Sequence, residues 1–201
     1  PMCVVKDRDA TLNSGTIRWC GSQDKTVSIV DDIGHMVATC LKAEFKKDAH
    51  YKQFCTLIGK GNAIMRQSTI AQYCAPRIRD KARFQNLSLQ AEWAQKILHK
   101  LQNEDISKEG SEAQKLHQAL PGFVELAPFI ERFLNTIKMG DRLMKELKNK
   151  GLTHNSSQKC YQLLRSLPNH SKTRKGLEKW LDKHIKFLEQ IGELPLLVSS
   201  D

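Results

Sequence analysis

The fold is decided by one stretch, Val27-Ser28-Ile29-Val30-Asp31-Asp32-Ile33-Gly34-His35. A short apolar run typical of a strand ends there in two acids, and a helical pattern begins directly after them. The first residues repeat this arrangement, because the apolar run 2–5 is followed by Lys6 and Asp7. Open sheets place ligands just outside the carboxyl ends of their strands. Two strands that each end in a carboxylate therefore predict a metal site at that edge.

Strand signals are confined to the first 32 residues, where the pattern predicts two or three strands: 2–6 and 26–30, with 16–20 as the third. The rest of the chain has helical periodicity. Gly59 and Gly61 are expected to end a helix, and the next one is expected over 62–74. We predict a mainly α chain with a small N-terminal β part, in which the strands pack beside about seven helices.

The charge of the chain favours a polyanionic partner. Its 201 residues include 32 Lys and Arg against 22 Asp and Glu, which gives a net charge of +10 and a pI near 9.4. Such a field attracts phosphates, so DNA or another nucleic acid is the leading candidate. A basic surface that serves only solubility is the alternative.

Cysteine usage and hydropathy bear on the cellular compartment. The six cysteines occur singly with no C-x-x-C pair, which argues against a zinc module and a disulfide framework. No apolar run approaches the roughly 20 residues that a membrane span requires, and the N-terminus lacks the order of a signal peptide. We therefore expect a cytoplasmic protein without membrane contact.

Basic residues cluster in two regions. Residues 60–100 contain eight Lys and Arg against two acids, and residues 141–186 contain twelve against four. The centre of the first cluster alternates basic and other residues and ends in Phe84, which could offer a stacking face; its candidate DNA-binding residues are Arg77, Arg79, Lys81 and Arg83. A charge run is usually a solvated helix face, but the excess of one sign here favours contact with a nucleic-acid backbone.

The acids near the predicted strand ends each have two interpretations. Asp7 is suited to a divalent cation, which prefers oxygen ligands, but Asp is also a common turn residue. Asp32 and His35 are accessory candidates, with His35 contacting a phosphate. The alternative is that Asp32 caps the following helix and His35 lies in its first turn.

The order of these motifs resembles RNase H-like DNA transposases of the three-carboxylate kind, in which an α-helical insertion interrupts the catalytic fold. The matching residues are Val4-Val5-Lys6-Asp7 with Leu12 and Gly15, Val30-Asp31-Asp32-Ile33-Gly34-His35, Ala75-Pro76-Arg77 with Lys81-Ala82-Arg83-Phe84, and Leu196-Leu197-Val198-Ser199-Ser200-Asp201. The resemblance implies a fragment of an RNase H-like α/β fold at 1–45, a helical insertion at 46–192, and a returning core strand from 193.

The resemblance also implies a chemistry. Asp7 would be the catalytic residue in this chain and the second of three metal-binding carboxylates, with the first acid upstream of Pro1 and the third, a glutamate, beyond Asp201. Two Mg²⁺ ions would activate water or a DNA 3′ hydroxyl and stabilise the leaving oxygen. Since all three acids are required, the chain alone is expected to be inactive. Which of Asp7, Asp9, Asp31 and Asp32 serves each role stays open, as does a homo-oligomer.

A second hypothesis has no catalytic component. The chain would be a self-contained helical module that binds nucleic acid or another partner, with its N-terminal strands forming a small flanking hairpin. Replacement of Asp7 would then leave metal binding unchanged.

Overall fold

The architecture is taken from a computed structural model, which describes residues 2–6, 10–23, 27–77, 84, 87–191 and 198. Within these ranges the chain is mainly helical, as predicted, with two strands and eight α-helices. The strands are β1 (Met2–Lys6) and β2 (Val27–Asp31). The helices are α1 (Ala10–Gly21), α2 (Ile33–Phe45), α3 (Ala49–Met65), α4 (Ser88–Asn103), α5 (Glu112–Ala119), α6 (Ala127–Lys150), α7 (His154–Arg165) and α8 (Lys172–Ile191).

The two strands lie side by side and run parallel, with Met2 opposite Val27 and Lys6 opposite Asp31. Parallel neighbours need a crossover connection, and α1 lies between them in the chain. The strand predicted at 16–20 is therefore wrong, since these residues belong to α1. Their β-branched and aromatic residues favour a strand locally, but the connection between parallel strands is helical here.

The chain divides into two compact units, one formed by Pro1–Ala43 with Met139–Asp201 and the other by Glu44–Lys138. We call them unit 1 and unit 2. Unit 2 is thus flanked in sequence by both segments of unit 1. The insertion predicted at 46–192 extends further toward the C-terminus than unit 2 does. Unit 2 is defined by packing, whereas the predicted insertion is a segment added to an ancestral fold. The two need not coincide, so the domain boundaries stay a prediction.

Close helix contacts at two glycines organise unit 1. A Cβ atom on Gly176 of α8 would lie 2.5 Å from the Cys40 Sγ of α2, and one on Gly140 of α6 would lie 2.9 Å from the Val37 Cγ1. Both α8 and α6 therefore approach α2 at positions that exclude a larger side chain. Gly140 does not break its helix, because α6 continues to Lys150 and ends where Gly151 adopts a positive φ of 66°.

An aromatic cluster forms the centre of unit 2. The ring centroids of Phe45 and Phe133 are 5.1 Å apart, and those of Phe54 and Phe129 are 5.6 Å apart. Tyr51 lies 5.7 Å from Phe133 in the same cluster. Such pairs add to the large apolar area that each ring buries. These rings therefore form the packed centre of unit 2.

The predicted helix boundary at Gly59 and Gly61 is wrong, because α3 passes through both glycines to Met65. Gly61 is where α3 meets the Leu120 side chain, since a Cβ atom there would lie 2.4 Å from Leu120 Cδ2. The helix predicted over 62–74 is also absent from these residues, which hold the end of α3 and a short 3-10 turn at Ala71–Tyr73. The Asn62 side chain accepts a hydrogen bond from the Ala75 backbone N–H at 2.7 Å and fixes this loop.

The two tryptophans Trp93 and Trp180 differ in burial. Trp180 is buried. Trp93 is half-buried, and its indole N–H donates to the Tyr73 carbonyl at 2.8 Å. No helix in the described part of the chain has the length and apolarity needed to cross a bilayer.

Candidate functional site

The carboxyl edge of the two strands holds a buried ion cluster centred on Asp31. Its side chain is 6% exposed, and its two oxygens face different cations. Lys6 Nζ of β1 lies 3.4 Å from Oδ1, and Lys183 Nζ of α8 lies 3.0 Å from Oδ2. The Lys6 side chain is itself only 8% exposed. Charges as buried as those of Asp31 and Lys6 are tolerated when they are paired. Lys183, whose side chain is 49% exposed, is the solvent-facing partner of Asp31.

The backbone of Asp31 is fixed by α8 as well. The Trp180 indole N–H donates to the Asp31 carbonyl at 3.2 Å, and the Asp31 N–H donates to His184 Nε2 at 3.3 Å. Because Nε2 accepts a hydrogen bond here, the ring proton is on Nδ1, which lies 2.7 Å from the Trp180 carbonyl oxygen. Residues 180, 183 and 184 of α8 thus hold the strand end by its side chain and its main chain.

Asp32, the next residue, caps α2. Its Oδ1 accepts a hydrogen bond from the His35 backbone N–H at 3.0 Å, which satisfies one of the free donors of the first helical turn. His35 Nδ1 lies 3.6 Å from the same oxygen, and its side chain is 44% exposed. The cap is the structural role that the sequence allowed, and the accessory role of Asp32 and His35 stays a prediction.

The segment from 193 is predicted to be a strand that returns to the core. Val198 is the residue of this segment that the structure describes. Val198 is buried, and its carbonyl accepts a hydrogen bond from the Ile33 backbone N–H at 2.9 Å. The Asp32 N–H donates to the Lys6 carbonyl at the same distance. The start of α2 is therefore held from both β1 and the C-terminal segment.

The described residues do not by themselves fit a magnesium site. No group of three or more His, Cys, Asp or Glu side chains within the described ranges is placed to hold a metal ion. The Asp31 oxygens face ammonium groups, and one Asp32 oxygen serves the helix cap. Asp7, the predicted metal ligand, lies outside the described residues, as does Asp9. Its role as catalytic and metal-binding carboxylate stays a prediction.

The first predicted basic cluster is described only at its ends. Arg77 is exposed, whereas Arg79, Lys81 and Arg83 lie outside the described residues. Phe84 is half-buried, with its ring centroid 6.0 Å from that of Tyr51. Phe84 therefore contributes to the aromatic cluster of unit 2.

The second basic cluster lies on α6, α7 and α8 in unit 1. A groove of about 660 Å³ is bordered by α6 and α7, with Arg142, Lys145, Lys150 and Lys159 among its lining residues. Glu146 lies in the same groove 2.9 Å from Lys150, whose hydrogen bond lowers the pKa of that carboxyl. Basic side chains outnumber this acid, so the groove is suited to an anion.

Two side chains near α7 have raised pKa values. Burial raises the pKa of the Cys160 thiol to about 12, with the Glu146 charge as a smaller cause. Burial also raises the pKa of Tyr161, and its hydroxyl donates a hydrogen bond to Asp182 of α8. Neither group is a nucleophile at neutral pH, since the thiolate and the phenolate are the reactive forms.

Comparison with protein-family models, with curated proteins and with solved structures finds no match to this chain. The resemblance to three-carboxylate transposases therefore rests on its motifs alone.

Sequence reasoning noted Asp31 but missed its partners. Lys183 falls within the second basic cluster, and nothing in the local sequence distinguishes His184. The sequence distance between Asp31 and these residues is about 150 positions. The pair Asp31-Asp32 at a strand end is a local signal for a functional position. It does not identify the partners of Asp31, because contacts over that sequence distance depend on how α8 packs.

Proposed function

We propose that this chain is the middle portion of a DNA transposase, in which the strand edge carries one catalytic acid and the basic helices hold DNA. The observation that carries the proposal is the parallel arrangement of β1 and β2 with α1 between them. In open α/β folds, functional groups lie at the carboxyl ends of such strands. That edge here holds Lys6, Asp31 and Asp32, and Asp7 follows β1 directly in the sequence.

The same observation counts against the hairpin of the alternative hypothesis. A hairpin joins antiparallel strands by a short turn, whereas these strands are parallel and separated by a helix of 12 residues. Among the described residues no third strand lies beside either of them.

The order of the units also supports the proposal. Helical unit 2 follows the first segment of unit 1, and the chain then re-enters unit 1 at Met139. The hydrogen bond from the Ile33 N–H to the Val198 carbonyl joins the C-terminal segment to the end of β2. A helical region between two parts of one core is the organisation expected from the resemblance.

In this proposal Asp7 is the catalytic acid and a Mg²⁺ ligand, while Arg77, Arg79, Lys81 and Arg83 contact DNA phosphates. We derive no step through the metal, because the described side chains do not form its site. The ion cluster of Asp31 keeps the end of β2 in place beside β1. Asp32 stabilises the start of α2, because its side chain accepts a hydrogen bond from the His35 backbone N–H.

Salt-dependent DNA binding is the first test. At roughly 50 mM salt, where phosphate contacts are strong, the chain is expected to bind a labelled 30-base-pair duplex in fluorescence anisotropy, and binding should weaken steeply by 200 mM. Arg77→Gln should reduce affinity, whereas Gln67→Ala, at an exposed neutral position nearby, should not. If the chain bound the duplex no more tightly than a neutral protein of equal size, its positive charge would no longer support the transposase proposal.

The alternative remains a helical nucleic-acid-binding or interaction module without catalysis. It is favoured by the pairing of both Asp31 oxygens with lysines, since a carboxylate so paired is not free for a metal. The flanking nucleotide sequence separates the two hypotheses. A transposase requires an acid on a strand encoded upstream and a glutamate on a helix encoded downstream, whereas the module requires neither.

A further inference from the structure

We propose that α8 presents a phosphate-binding surface for the backbone of double-stranded DNA, and that this surface leads to the carboxyl edge of β2. It consists of Lys172, Lys175, Lys179, Lys183 and Lys186, which we call the lysine stripe. The inference rests on the proposed function and adds to it a second contact surface, separate from residues 77–83.

The spacing of the lysine stripe places all five side chains on one face. They recur at intervals of three or four residues, and at 3.6 residues per turn they fall within an arc of about 80°. With a rise of 1.5 Å per residue, the stripe is about 21 Å long. Double-stranded DNA carries one negative charge per roughly 1.7 Å of its axis, so a stripe of this length is long enough to contact several phosphates.

The stripe is exposed, and most of its charge is not neutralised within the protein. All five lysines are exposed. Lys183 pairs with Asp31, and the other four form no ion pair with any described residue. Three acids border the stripe on one side: Glu178 is paired with Arg174 at 2.8 Å, Asp182 accepts a hydrogen bond from Tyr161, and Glu189 is exposed. The lysines thus keep a net positive face.

The opposite face of α8 is fixed in the core of unit 1, which makes the stripe a rigid surface. Leu177, Trp180, Leu181 and Leu188 are buried. A helix that binds a membrane surface needs exposed apolar residues beside its basic ones. The apolar residues of α8 are buried instead, so a hydrophilic polyanion such as DNA fits the stripe better than a lipid surface does.

The position of Lys183 connects the stripe to the candidate site. Its Nζ lies 3.0 Å from the Asp31 Oδ2 at the carboxyl end of β2. A DNA strand that follows the stripe therefore reaches the strand edge where the transposase proposal places its acid. Lys183 remains unchanged in the experiment below, because it also stabilises the ion cluster.

The salt dependence of DNA binding tests the stripe quantitatively. We would compare the wild-type chain with a variant in which Lys172, Lys175, Lys179 and Lys186 are replaced by Gln. The control variant carries the same charge change at four exposed lysines elsewhere, Lys42, Lys46, Lys47 and Lys52. Anisotropy of a labelled 30-base-pair duplex between 50 and 200 mM salt gives the slope of log K against log salt.

The stripe variant is expected to lose about 3 to 4 units of slope, since each phosphate contact contributes about 0.9, and the control variant is expected to lose less than one. If the stripe variant does not fold, two double variants, Lys172→Gln with Lys175→Gln and Lys179→Gln with Lys186→Gln, should each lose about half as much. Replacement of the four stripe lysines by Arg should retain the slope, because Arg also binds phosphates.

Equal losses in the stripe and control variants would overturn this inference and leave the proposed function intact. A wild-type chain that binds no duplex would count against both. Stripe-dependent binding to vesicles of anionic lipid that is tighter than binding to DNA would also overturn the inference, since it would assign the stripe to a membrane surface.

Discussion

At the scale of single residues, Asp31 is a buried charge with partners on two other elements. It holds the two strands and α8 together through Lys6 and Lys183, and its side chain is almost fully buried. Removing one member of a buried ion pair costs more than the pair contributes, because the remaining charge is left without a partner away from water. The cost should therefore depend on how buried that remaining partner is.

We predict that Asp31→Asn lowers the free energy of unfolding by about 3 kcal/mol, since Lys6 then stays buried beside a neutral group. Lys183→Gln should cost about 1 kcal/mol or less, because its side chain is 49% exposed and water can replace it as a partner of the carboxylate. Urea unfolding followed by circular dichroism measures both variants. Equal small losses would show that Asp31 is not a buried centre of charge.

A second residue-scale prediction concerns Asp48, which caps α3 and pairs with Arg132 at 2.5 Å. Burial opposes its ionisation, but the Arg132 hydrogen bond and the Tyr51 backbone N–H outweigh burial and lower its pKa. Because the folded pKa is below the unfolded one, the stabilisation by Asp48 is complete above the ordinary carboxyl pKa of about 4. It is lost as the pH falls through the lower folded value.

Asp48→Asn should remove this part of the acid dependence, since Asn retains the capping ability and lacks the charge. The difference in unfolding free energy between wild type and variant is expected to be largest near pH 7 and to shrink below about pH 4. Urea unfolding at several pH values between 7 and 3 measures it. A difference that stays constant over this range would show that the pKa of Asp48 is the same in both states.

At the scale of secondary-structure elements, two glycines of α3 provide a matched pair. Gly59 has no atom within 4 Å of the Cβ position, whereas a Cβ atom on Gly61 would lie 2.4 Å from Leu120 Cδ2 and 3.0 Å from the Ala119 carbonyl oxygen. Both residues lie in the helix interior with ordinary helical geometry. They therefore differ mainly in the space around them.

Gly59→Ala is expected to stabilise the protein by about 0.5 to 1 kcal/mol, because Ala has the higher helix propensity. Gly61→Ala should destabilise it by about 1 to 3 kcal/mol, because the added methyl group forces α5 and its neighbours apart. Thermal unfolding should show the two melting temperatures on opposite sides of the wild-type value. Two shifts of the same sign would contradict the close contact at Gly61.

The elements also show how far the sequence predicts this fold. The mainly helical character of the chain after residue 32 is predicted correctly, because apolar periodicity is a local property of the sequence. The 16–20 segment and the Gly59 and Gly61 boundary were predicted wrongly, since each is decided by packing or by a crossover elsewhere in the chain. The cap formed by Asp32 is one of the two interpretations that its neighbours allow, whereas the partners of Asp31 depend on the placement of α8.

At the scale of the whole molecule, three features support the transposase proposal. They are the carboxyl edge of two parallel strands with Asp7 directly after β1, the helical unit 2 within the chain, and the lysine stripe of α8. The strand pairing and the contacts of α8 are structural observations. DNA transposition is our proposal. Its central claim is that Asp7 is a catalytic carboxylate, and this claim concerns chemistry that stability measurements do not reach.

The most direct test is DNA cleavage and strand transfer by the protein expressed from its complete reading frame, with Mg²⁺ and a DNA substrate carrying the ends of the surrounding element. We predict that the wild-type protein cleaves the DNA. The Asp7→Asn variant should cleave at least about 100-fold more slowly, because a metal-binding carboxylate is lost. The variant should still bind DNA with the salt dependence of the wild type. Asp105→Asn, at an exposed position outside the candidate site, serves as the control with the same charge change. Cleavage by Asp7→Asn at the wild-type rate would contradict the account.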